Sequence, residues 1–143
     1  MDHLHDATKI VLLFAGGMFL WALLLGSVKY RQILSSPDHH AHPYTDVAHR
    51  AALLYSFALV LIAVFVQYGQ WSYSVNLAAA SAMAVYFAMA VAGYTWHGLK
   101  KDTVNQFTRA TTGLKGFMVS LMVVEIGAWL VLVAGFADRQ FAH

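Results

Sequence analysis

The sequence predicts an all-α integral membrane protein, a four-helix bundle, and three observations predict it. Four apolar stretches fill most of the 143 residues, roughly Ile10–Val28, Val47–Val66, Val75–Tyr94 and Phe117–Ala137. Each is close to the ~20 residues that a helix needs to cross a bilayer core of ~30 Å. Hydrophobic residues make up 59% of the chain and charged ones 11%, against ~25% charged residues in a soluble domain. The stretches also lack the polar face at helical spacing that a water-soluble bundle would carry.

The first span (10–28) carries Gly16-Gly17, small residues that let a neighbouring helix approach closely in lipid, and Lys29-Tyr30-Arg31 marks its interface. Its apolar run is long and no A-x-A-like cleavage site follows, so it reads as a retained span rather than a signal peptide. The polar segment Ser35 to Asp46 contains Pro37 and Pro43 as breakers. Asp46 is placed to cap the second span (47–66), which closes at Gln67–Gly69. Trp71 and Tyr73 in the following turn read as an aromatic interface belt. The third span (75–94) is rich in alanine, which predicts a helix packed inside the bundle or against another subunit. A second polar loop runs to about Gly113, and the fourth span (117–137) contains Glu125. The chain reads as a single transmembrane domain over residues 1–143.

Charge placement orients the bundle. Lys29, Arg31 and Arg50, then Lys100, Lys101, Arg109 and Lys115, lie in two connections, whereas the other side has Lys9 and Arg139. The positive-inside rule puts the basic loops in the cytoplasm and both termini outside, as in a multi-pass protein of a bacterial inner membrane. The basic clusters read as topology signals and lipid anchors rather than a nucleic-acid surface. The absence of cysteine excludes disulfides, thiolate metal ligands and a Cys nucleophile.

Helix direction brings His49, Tyr94 and His97 to similar depth, and Tyr94 and His97, three apart, share a helix face. Neutral imidazole is a good ligand for haem iron and other transition metals, and the alternative is a pair of interfacial histidines. His39, His40 and His42 form a histidine-rich tract of the kind that binds zinc, copper or nickel, or simply a solvated loop. Glu125, about 12 Å into the membrane at ~1.5 Å per residue from Phe117, is the one acid within a span. Such a residue is protonated, paired or lining a hydrated path. A proton relay is one reading; an interhelical hydrogen bond to Tyr55, Ser56 or Tyr86 is the simpler one. No phosphate-binding glycine loop, carboxylate pair or Ser-His-Asp pattern is present.

These residues carry two resemblances. Four spans in 143 residues with basic loops resemble the trimeric MAPEG membrane enzymes. That family's second span opens with a pattern like Arg-Ala-His-x-Asn-x-x-Glu, and here Val47-Ala48-His49-Arg50-Ala51-Ala52-Leu53-Leu54 keeps Ala48-His49 alone. The positions that would serve glutathione hold Val47, Ala51 and Leu54. The chain also resembles styrene oxide isomerase, a small four-span membrane protein with b-type haem. Its haem-ligating histidine stands in an Ala-His pair that maps onto Ala48-His49. Its catalytic tyrosine, near the end of the third span, maps onto Tyr94 in Ala92-Gly93-Tyr94, and its active-site asparagine aligns with Tyr55.

The resemblance to styrene oxide isomerase implies a homotrimer that binds haem b between subunits, with His49 as axial ligand to the iron. It implies conversion of a small apolar epoxide to a carbonyl compound, with ferric haem as Lewis acid and Tyr94 and Tyr55 facing the substrate. Three alternatives remain at this stage. They are a haem electron-transfer subunit ligated by His49 and His97, a non-enzymatic subunit of a membrane complex, and a diverged relative of the glutathione enzymes.

Overall fold

The computed structural model describes residues 3–142. Four helices follow one another: α1 (Asp6–Ser35), α2 (Pro43–Tyr68), α3 (Tyr73–Lys100) and α4 (Thr112–Phe141), with a 3-10 turn at Gln106–Arg109 in the last connection. All four are long and apolar enough to cross a membrane, which makes this a multi-pass membrane protein. Each helix outruns its apolar span, because a helix that leaves the hydrocarbon can continue in the headgroup region with polar side chains.

The tightest pairing is α1 on α2. In α1 the buried positions Ala7, Val11, Ala15, Met18, Ala22 and Leu25 recur every three or four residues, a single stripe along the helix. They meet Ala48, Ala52, Leu59, Ile62, Ala63 and Val66 of α2 in one core. Lipid gives no hydrophobic drive for helices to pair, so close packing over small side chains does that work here. A polar clamp closes the end of the seam: the Thr8 hydroxyl and the His5 N–H both donate to Gln67 Oε1, at 2.9 and 3.0 Å. α3 packs on α2 through Ala80, Ala84, Phe87 and Val91. At the other end Gly98 lies so near Thr45 that a Cβ there would stand 2.7 Å from the Thr45 backbone nitrogen.

α4 is different, burying only Leu132 and Gly135. It is fastened at one end, to the α2–α3 turn. The Trp71 indole lies directly on Gly135 and donates to the Val131 carbonyl at 2.7 Å. Arg139 donates to the Gly69 carbonyl at 3.0 Å, and Phe65 packs between Trp129 and Phe136. Towards its N-terminus α4 exposes Val119, Met122, Val123 and Ile126.

One local expectation is corrected. Asp46 does not cap α2: the helix begins three residues earlier, with Pro43 at its start and His42 as N-cap, Nδ1 accepting the Tyr44 N–H at 3.3 Å. Proline favours the first helical position because it has no N–H to leave unsatisfied. Asp46 instead pairs with Lys29 of α1 at 2.6 Å and Arg50 at 2.9 Å. Trp71, exposed at this end of the bundle, also pins α4. Gly16 and Gly17 receive no helix within the chain; Cβ atoms there would meet nothing within 4 Å.

Candidate functional site

Tyr44 organises the end of the bundle where α2 begins and α3 ends. Its ring stacks on Tyr94 at 6.0 Å and on His42 at 6.2 Å, and tilts against His97 at 5.3 Å. Its hydroxyl accepts the Gln106 N–H at 2.7 Å, tying the α3–α4 connection down onto α2. One turn beyond Tyr94, His97 Nδ1 meets Asp102 Oδ1 at 2.8 Å. That hydrogen bond holds the Asp102 carboxyl below its ordinary range. With the carboxylate as acceptor, Nδ1 carries the proton, and an imidazole held by a carboxylate in this way is common among metal-ligating histidines. Beside this pair a cavity of about 840 Å³ opens between the α3 end, the connection and the start of α4, lined by His97, Lys101, Asp102, Arg109 and Leu114.

His49 faces another way. Its half-buried ring lies against α1, and a Cβ on Gly26 would stand 3.2 Å from Nε2. Nδ1 is buried and has no hydrogen-bond partner. His49 and Tyr55 are six residues apart, which at ~100° per residue turns them about 120° from each other on α2. The three residues singled out in the sequence therefore face different neighbours. Tyr94 and His97 gather on Tyr44, while His49 occupies the α1–α2 seam.

Tyr55 lies flat on Phe87 of α3, with ring centroids 4.2 Å apart and planes within 4°. Along α4, Phe117, Leu121, Glu125 and Trp129 follow at four-residue steps and so share one face. Phe117 stacks on Tyr86 and Trp129 packs on Phe65, which turns that face, and Glu125 with it, towards α2 and α3. Glu125 Oε1 is buried without a partner. The expected hydrogen bond to Ser56 does not form, because that hydroxyl donates to the Leu53 carbonyl at 2.6 Å. Nor do the Tyr55 and Tyr94 hydroxyls join the hydrogen bonds that α2 and α3 make among the described residues, which involve Tyr44, Ser56, Gln67, Asn76, Thr95 and His97.

Among the described residues no three His, Cys, Asp or Glu side chains stand together as a metal-binding group. Ligation here is a matter of single imidazoles. In the loop tract, His42 Nδ1 is used as the α2 cap, and His40 Nδ1 lies 2.6 Å from the Asp38 carbonyl. His39 sits in the left-handed region at φ 55°. Sequence reading passed over Gly26, Tyr44 and Asp102. The last two had a signal, a tyrosine directly after the helix-opening Pro43 and a carboxylate five residues past His97; Gly26 had none. Compared with protein-family models, curated proteins and solved structures, the chain matches none.

Proposed function

We propose that this protein is a haem b-binding membrane isomerase that converts a small apolar epoxide to a carbonyl compound, working as a homotrimer in a bacterial inner membrane. The observation that carries the reading is the state of His49. It is an imidazole within an apolar span whose Nδ1 has no partner and whose Nε2 edge is faced by a glycine. A buried unpaired polar atom of this kind calls for a missing partner. The donor chemistry suits iron, since a neutral imidazole is the usual proximal ligand of b-type haem. His49 would hold the group with its ring turned out of the α1–α2 seam, where Gly26 lies against Nε2. Bound there, ferric haem supplies a Lewis acid for an epoxide oxygen.

The chain's own residues do the rest. Tyr94, braced by its stack on Tyr44, would donate its phenol O–H to the substrate oxygen, and Tyr55, braced on Phe87, would shape the pocket. Two stacked rings are worth about 0.5–1.5 kcal/mol beyond their burial, which fixes the hydroxyls before substrate arrives. The apolar surroundings admit an apolar substrate and exclude the water that would open an epoxide to a diol. In one chain His49 and the tyrosines lie on different sides of α2, which supports a site shared between copies. The uncovered Gly16–Gly17 face and the exposed flank of α4 are surfaces such copies can use.

The test is product analysis with styrene oxide and detergent-purified protein. Aldehyde formation is expected from the parent, reduced at least about a hundredfold in Tyr94→Phe, the loss typical of one preorganised donor. Diol as the product, or no turnover by a haem-loaded parent, contradicts the reading. The electron-transfer alternative has one observation in its favour, the hydrogen bond that holds His97 Nδ1 on Asp102.

A further inference from the structure

The cations at the end of the bundle where α2 begins and α3 ends differ in what they touch. Lys29 and Arg50 are paired with Asp46, and Lys100 lies over the Trp96 ring, 4.1 Å from its centre. Lys101 and Arg109 are in no ion pair among the described residues. Both line the cavity of about 840 Å³ between the α3 end, the connection and the start of α4. The one acid among the lining residues, Asp102, is bonded to His97 Nδ1 at 2.8 Å. The wall is therefore net positive. It is also held in shape: the Tyr44 hydroxyl accepts the Gln106 N–H at 2.7 Å, Asn105 Oδ1 accepts the Phe107 N–H at 2.9 Å, and Thr111 Oγ1 accepts the Leu114 N–H at 3.2 Å. The Thr112 and Gly113 N–H groups, between the lining residues Thr111 and Leu114, belong to the opening turn of α4, where a helix cannot bond its own amides. That turn also carries the positive end of the helix dipole.

We propose that this cavity is a binding site for a phosphate ester, with Lys101 and Arg109 as its charged contacts. A guanidinium presents a planar fork that matches two phosphate oxygens, and an ammonium on a flexible stem adds a point charge. The α4 amides suit the same anion. The volume falls within the ~300–1,000 Å³ of ligand sites, which leaves room for more than a bare phosphate. The surroundings favour a phosphate carried by a lipid. The cavity lies between the ends of two helices long enough to cross a membrane, at the level of the headgroups. Val104 on its wall, Phe107 beside it and Leu99 on α3 are all exposed, apolar groups that acyl chains would cover. A soluble phosphate ester would meet the same two cations and leave those side chains in water. The site stands apart from His49, Tyr55 and Tyr94 and requires no bound haem.

The experiment is native mass spectrometry of the full chain in detergent, titrated with dioleoylphosphatidylglycerol and, as the same lipid without a phosphate, with dioleoylglycerol. One phosphatidylglycerol per chain is expected to bind in preference to dioleoylglycerol. Lys101→Gln combined with Arg109→Gln is expected to weaken that binding about thirtyfold, the loss of two charge contacts beside a headgroup. Arg31→Gln combined with Lys115→Gln removes the same charge from the same end of the bundle, and neither residue lines the cavity. That pair is expected to leave the affinity nearly unchanged. In the parent, bound lipid is expected to slow amide exchange across residues 101–114, a readout that depends on no variant folding. Glycerol 3-phosphate separates the two sources: weak competition upholds a lipid ligand, and competition as strong as the lipid's own assigns the same site to a soluble phosphate ester. Equal binding of the two lipids, equal losses in the two double variants, or unchanged exchange across 101–114 overturns the proposal.

Discussion

His49 rests on Gly26: a Cβ at that glycine would stand 3.2 Å from the imidazole Nε2. The contact is tight enough that a larger side chain must displace the ring, and it joins α1 to the residue on which the proposed cofactor depends. Gly26→Leu is therefore expected to destabilise the bundle by about 1–3 kcal/mol, the usual cost of overpacking. It is also expected to lower haem retention more than Gly26→Ala does. Thermal unfolding in detergent, followed beside the Soret absorbance, reads both effects; an unchanged porphyrin content in Gly26→Leu would show that the ring does not need this side of α1 clear.

Gly98 sets the spacing of α2 and α3, because a Cβ there would stand 2.5 Å from Thr45 Oγ1 and 2.7 Å from Thr45 N. The backbone nitrogen cannot swing aside as a side chain can. Gly98→Ala is expected to cost about 1–3 kcal/mol and to disturb the Tyr44–Tyr94 stack beside it. Equal melting temperatures for the variant and the parent would mean that α3 has room to shift.

The α2 cap is sensitive to pH. His42 accepts the Tyr44 N–H through Nδ1, which requires a neutral ring. Burial and then the positive Lys101 hold His42 below the ordinary histidine value, against an opposing pull from Asp102. A base whose folded value is depressed gives full stabilisation above its unfolded value, and loses it as pH falls from there towards the folded value. The cap is thus expected to be complete at pH 8 and to weaken below about pH 6.5. Amide exchange at Tyr44, compared with the intrinsic rate, is expected to speed up at pH 5, and in His42→Asn to become independent of pH. Equal protection at pH 5 and pH 8 in the parent would refute the cap.

Tyr44→Phe removes the acceptor for the Gln106 N–H while keeping the ring stacks. A loss of about 0.5–1.5 kcal/mol is expected, concentrated in the 101–111 connection. Limited proteolysis there is expected to accelerate, and an unaltered cleavage rate would show that the connection is held by other contacts.

The membrane class and the four helices were legible because hydrophobic length is a local property, readable without knowing what packs on what. The Gln67–Gly69 end of α2 and the inward packing of the alanine-rich α3 followed from the same kind of signal. What escaped depended on contacts between distant residues. Pro43 decides where α2 begins and frees Asp46 for Lys29, and no window around Asp46 contains Lys29. That Trp71 also pins α4 was hidden because its target, Gly135, lies 64 positions away. His49 lies against Gly26 of α1, and Gly26 is a small residue like many others in the chain, which no local pattern singles out. Glu125 drew notice as an intramembrane acid; that it lacks the expected partner emerges only when Ser56 is found bonded to its own helix.

The account turns on whether the His49 imidazole ligates a porphyrin, and the absorption spectrum of detergent-purified protein, beside His49→Ala, tests that most directly. A Soret band is expected in the parent and is expected to be lost in His49→Ala, with the helical circular dichroism of the two proteins alike. A parent without the band, or a band that survives the substitution, would contradict the assignment.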